Sequence, residues 1–83
     1  MILEEIITEI KNLQSLIKMC DNLIALNRLY LSYIELEIKF TDQLKIETIK
    51  DKNNINRIFK NLKVNFENCT NIQKYLIIHK DMN

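Results

Sequence analysis

Residues 2–40, ILEEIITEIKNLQSLIKMCDNLIALNRLYLSYIELEIKF, decide the fold class. Within them Leu3, Ile6, Ile10, Leu13, Ile17, Cys20, Ile24, Asn27, Leu31, Ile34 and Ile38 follow alternating steps of three and four, the spacing of a helical seam resembling that of a coiled coil. Asn27 is its one polar member. As far as Lys18 the opposite face is polar, with Glu4, Thr8, Lys11, Asn12, Ser15 and Lys18, so this half needs one apolar neighbour. From Met19 onward a second stripe joins the first: Met19, Leu26, Tyr33 and Phe40, flanked by Leu29 and Leu36. A helix that is apolar nearly all round is expected to be buried nearly all round.

The spacing predicts an all-α protein in which residues 2–40 form one long helix, or two helices broken near Asp21-Asn22 with Asp21 capping the second. Unbroken, the helix is about 60 Å long at about 1.5 Å per residue, more than a chain of this size can cover. A competing period of two runs through Tyr33 to Phe40 and again through Leu44 to Thr48, across Thr41-Asp42-Gln43, and describes a β-hairpin at 33–48 in an α+β fold. The connection lacks the Asn-Gly or Asp-Gly of tight hairpins, and the helical spacing continues through it.

Downstream, Asn and Asp punctuate the chain, since it contains no Gly and no Pro. Residues 51–54 are the expected linker. Asn53 or Asn54 is the expected cap of a helix over about 54–69 with the stripe Ile55, Ile58, Phe59, Leu62, Phe66 and Cys69. Asn68 to Asn71 are expected to turn the chain into a short helix over about 71–80, and residues 81–83 to fray. The whole is expected to be a single helical domain with Ile10, Leu13, Ile17, Ile24, Leu31, Ile58, Phe59, Leu62 and Phe66 most buried.

Composition bounds the function. The 83 residues are 47% hydrophobic and 28% charged with a net charge of +1, a globular balance that demands neither nucleic acid nor membrane. Ile, Asn and Lys supply 36 residues, Lys outnumbers Arg ten to two, and Ala25 is the single alanine. These preferences follow A/T-rich codons and suggest an A/T-rich genome, such as that of a phage, plasmid or large DNA virus. Glu4 and Glu5 stand where a secretion signal carries basic residues, and no apolar run reaches the length of a membrane span, so a cytoplasmic location is expected in a bacterium or a host cell. Cys20 and Cys69 are isolated, without C-x-x-C spacing, and are expected to be reduced core residues.

Catalytic chemistry has few candidates. His79 is the lone histidine, Gly-rich phosphate loops are excluded by the absence of glycine, and Glu35 and Glu37 lie about 200° apart on a helix at about 100° per residue. No enzyme, cofactor or metal site is expected, because Cys20, Cys69 and His79 show no ligand spacing. What is expected instead is binding to another protein, as an adaptor, regulator or inhibitor. Self-association as a homodimer through Leu3, Ile6, Ile10, Leu13 and Ile17 is expected too, since the apolar surface exceeds what one short chain buries. Asn27 either fixes the register of that seam by pairing with its counterpart or marks where the seam opens to water. The alternative is a nucleic-acid contact through the basic run of Lys50, Lys52, Arg57, Lys60 and Lys63, opposed there by Asp51 alone.

Overall fold

In the computed structural model, which describes residues 2–46 and 52–80, three helices follow one another: α1 (Ile2–Lys18), α2 (Leu23–Ile46) and α3 (Lys52–Lys80). They pack up, down and up, with α2 antiparallel to both neighbours, into a bundle 52 × 18 × 14 Å. The all-α expectation is met, and no strand occurs among the described residues. The hairpin at 33–48 is not formed. α2 runs straight through Tyr33, Thr41 and Gln43, and Glu47 and Thr48 lie outside the described residues.

The helix pair, not the single long helix, is what residues 2–40 form. α1 ends in two tight backbone bonds, Met19 N to the Leu16 carbonyl and Cys20 N to the Ile17 carbonyl, each 3.1 Å. Their three-residue spacing narrows the last turn, as at many helix ends. The usual glycine cap has no counterpart: among the described residues none has positive φ. Just beyond the helix a distant side chain pins the turn, as the Gln73 amide of α3 donates to the Cys20 carbonyl at 2.6 Å. α2 then starts from Asn22, whose Oδ1 accepts the Ala25 N–H at 2.8 Å. Asn22 therefore caps α2, while Asp21 only accepts from the Asn22 amide at 3.1 Å.

This break changes which stripe faces inward. Along α1 the expected seam is buried, with Leu3, Ile10 and Ile17 fully enclosed. After the reversal the same seam points outward and the second stripe takes its place. Leu26, Tyr33, Leu36 and Phe40 are buried, whereas Ile24 is 69% and Leu31 59% exposed. Two ring stacks explain the choice. Tyr33 lies on Phe66 with centroids 4.1 Å apart, and Phe40 on Phe59 at 3.9 Å and 7° between planes. Aromatic rings bury more area than Ile or Leu and gain further from stacking, so the face of α2 that carries them goes to the core. Met19 falls in the turn and stays exposed, and Cys20 is buried.

α3 also departs from expectation. Asn53 and Asn54 lie inside the first described turn of α3 and not ahead of it; Asn54 Oδ1 accepts from the Arg57 guanidinium at 3.4 Å. Of the expected linker, Lys52 to Asn54 are helical and Asp51 lies outside the described residues. Nor does the chain turn at 68–71. Thr70 returns its hydroxyl to the Phe66 carbonyl at 2.8 Å, the i to i−4 bond open to a helical threonine, so the two expected helices are one. Phe59, Leu62, Phe66 and Ile77 form its buried face, and Ile58 lies outside it.

The reversal of α2 can be measured by comparing two substitutions. Phe66→Ala, which removes half of one ring stack, should lower stability in urea unfolding by about 3 kcal/mol or more. Ile24→Ala, in the seam that the spacing assigns to the core, should stay within about 0.5 kcal/mol of the parent chain.

Candidate functional site

With the aromatic stripe of α2 inside, its other apolar stripe becomes a surface ridge. Ile24, Asn27, Leu31, Ile34 and Ile38 keep steps of three and four along the outer side of the helix, and all five are exposed. From Ile24 to Ile38 the ridge is about 21 Å long. On the edge towards α1 stand Arg28 and Glu35, both exposed. On the edge towards α3 stand Tyr30, half-buried beside Tyr33 and Phe66, and Glu37, whose Oε1 accepts from Lys63 Nζ at 3.2 Å. Contiguous apolar surface of this kind, rimmed by polar groups, marks a site of contact in folded proteins.

The expected interface residues are divided by this arrangement. Leu3, Ile6, Ile10 and Ile17 are buried in the chain's own core and Leu13 is half-buried against it. These five therefore do not form a contact face, because α2 and α3 already cover them. Asn27 alone of the six is exposed, on the outer ridge and at the rim of a groove with Tyr30, Glu67 and Lys74. Within the single chain Asn27 is therefore open to water.

The basic residues come together in part. Lys52, Lys60 and Lys63 border a groove of about 580 Å³ between the end of α2 and the start of α3, with Lys45 on the opposite wall and Phe40 and Phe59 below. Lys45 belongs to this group and escaped notice in the sequence because it lies on another element, across residues 46–51. Arg57 is not part of the groove; it faces Asn54. Lys63 is committed to Glu37, which holds its ammonium above the usual lysine range through hydrogen bond and charge. Lys50 lies outside the described residues.

Other reactive groups are scattered. Glu35 and Glu37 face different sides of α2, only Glu37 meeting Lys63. His79 packs on Tyr75 with centroids 3.9 Å apart at the exposed end of α3. Cys20 and Cys69 are free thiols; Cys69 Sγ receives the Gln14 amide at 3.3 Å. Among the described residues no group of His, Cys, Asp and Glu could hold a metal ion, and no helix is long and apolar enough to cross a membrane. Comparison with known protein families, with curated proteins and with solved structures finds no match.

One buried polar group remains. The Tyr33 hydroxyl is enclosed and has no hydrogen-bond partner among the described residues. Burial, reinforced by the Glu37 carboxylate, raises its pKa above the usual value of 10.0. Because the folded chain disfavours the phenolate, stability from this group is complete below pH 10 and declines as the unfolded chain ionises above it. Tyr33→Phe removes the unpartnered hydroxyl and keeps the ring stack. It should raise stability at pH 7 by about 1 kcal/mol and flatten the decline of the urea midpoint between pH 9 and about pH 11.

Proposed function

We propose that the protein acts by binding another protein through the outer ridge of α2, as an adaptor, regulator or inhibitor, and not as an enzyme. The observation that carries this reading is the ridge itself: Ile24, Leu31 and Ile38 are each more than half exposed on a helix whose opposite face is fully packed. The fold does not require these side chains, since tyrosine and phenylalanine fill the core without them. Their common face on one regular helix suits the docking of an apolar groove or of another helix. The residue content suggests a phage, plasmid or viral protein working in the cytoplasm of a bacterium or host cell.

Leu31→Glu combined with Ile38→Glu tests the reading, because both positions are exposed and the helical circular dichroism should persist. Affinity capture from the source organism should then lose the partner, with affinity down at least about tenfold, or about 1.4 kcal/mol. Undiminished capture by the doubly substituted chain would sink the proposal.

A second reading has its own observation. Lys45, Lys52 and Lys60 gather from two helices around one groove, a cationic rim that suits the phosphates of a nucleic acid. Against it, Glu37 neutralises Lys63 and the chain carries a net charge of only +1. If phosphates are the ligand, fluorescence anisotropy with single-stranded DNA or RNA should show binding at about 50 mM salt that collapses by about 200 mM. Lys45→Gln with Lys60→Gln should abolish it. Absence of binding at the lower salt leaves the α2 ridge as the site.

A further inference from the structure

Resting on the docking role of the α2 ridge, we propose that one occupant of the ridge is a second copy of the chain, its α2 antiparallel to the first about a two-fold axis near Leu31 and Ile34. The core is not involved. Leu3, Ile6, Ile10 and Ile17 remain inside each chain, and the contact is made by Ile24, Leu31, Ile34 and Ile38, all of them exposed in the single chain, Ile34 least.

Charge selects this occupant and this direction. Arg28 and Glu35 stand seven residues apart, two helical turns, on the same edge of the ridge. In an antiparallel pair related by a two-fold axis, each edge meets the same edge of the other copy. When Leu31 packs on Ile34 of the second copy, Arg28 comes opposite Glu35 of that copy, and the axis generates the same pair a second time. The face is thus complementary to itself. Sliding the helices by one seven-residue step is less favourable: in one direction Arg28 meets Arg28, and in the other Arg28 meets Asp42 but Glu35 meets Glu35 at the axis and Leu31 packs on Thr41 instead of Ile34. Like charges at the axis and the loss of the Leu31–Ile34 layers disfavour these registers, so the ridge favours one antiparallel alignment.

A parallel pair would bring Asn27 and each apolar ridge residue to its own counterpart, but it leaves the charged edges unmatched. Each edge would then meet the opposite edge. Arg28 would face Leu23 and Glu35 would face Tyr30, while Glu37 would oppose Asp42, two carboxylates together. In the antiparallel pair Asn27 falls beside Ile38, away from the axis and towards the ends of the contact. Four apolar side chains per copy make a small interface, so the dimer should separate in the micromolar range.

Sedimentation equilibrium from about 1 to about 500 micromolar, with the full chain, is the test. The parent chain should show twice the monomer mass at the upper end, and Leu31→Glu should hold it at the monomer mass. Arg28→Glu and Glu35→Arg, each placing like charges across the axis, should each raise the dissociation constant about tenfold. The doubly exchanged chain, Arg28→Glu with Glu35→Arg, should return to near the parent value, because the pairs are restored with reversed sign. Arg28→Gln and Glu35→Gln, milder changes on an exposed edge, should weaken association less than the reversals and guard against a failure to fold. A monomer throughout the range overturns the proposal, as does a doubly exchanged chain that stays weak while its helical spectrum is unchanged. The docking role fails separately: it falls if Leu31→Glu with Ile38→Glu leaves capture of a foreign partner intact, whatever the parent chain's mass.

Discussion

The stacking of two ring pairs across α2 and α3 is the contact on which the remaining structure depends. Tyr33 on Phe66 and Phe40 on Phe59 lie seven residues apart on each helix, so together they fix the antiparallel register as well as the separation. Glu37 and Lys63 come within 3.2 Å because that register brings them level. α1 then lies in the furrow that the pair leaves open and closes it with Leu3, Ile6, Ile10 and Ile17. The assembly follows a simple hierarchy. Large rings decide which side of α2 is inner, and aliphatic residues fill what remains.

That hierarchy separates what was legible in the residues from what was not. The helical class followed from spacing alone, as did the buried role of Ile10, Ile17, Phe59, Leu62 and Phe66, since each lies on the apolar side of an amphipathic helix. For α2 spacing was insufficient, because two stripes with the same period run along one helix. Length of stripe favoured the aliphatic one; burial favoured the aromatic one. Counting rings on each face would have given the right answer, because side-chain area, not continuity of pattern, determines which face the core accepts. The same ambiguity misplaced the contact surface. Residues assigned to an outside partner, Leu3 through Ile17, found their neighbours within the chain, and Ile24, Leu31 and Ile38 were left outside.

Ends of helices were the other blind spot. Asn is abundant, so an asparagine near a boundary carries little information: Asn22 caps a helix, while Asn53 and Asn54 lie within one and Asn68 and Asn71 interrupt nothing. The basic groove shows a related limit. Lys52, Lys60 and Lys63 share a helical face and could be grouped by counting, but Lys45 joins them only through the packing of α2 on α3, and Arg57 leaves them by a single helical step. Sequence neighbours on a helix diverge as readily as distant residues converge.

The amide of Gln73 on the Cys20 carbonyl has a consequence for how the molecule opens. A turn closed by a nearby glycine or asparagine can form and break by itself. Here the local bonds of Met19, Cys20 and Asn22 are joined by one from a residue 53 positions away, on the Cys20 carbonyl, and that bond exists only while α3 is docked along the other two helices. Fluctuations of the connection are thereby coupled to departure of the third helix. The end of α1 is thus tied by one side chain to the helix that carries Phe59 and Phe66, and opening the connection fully requires that bond to break.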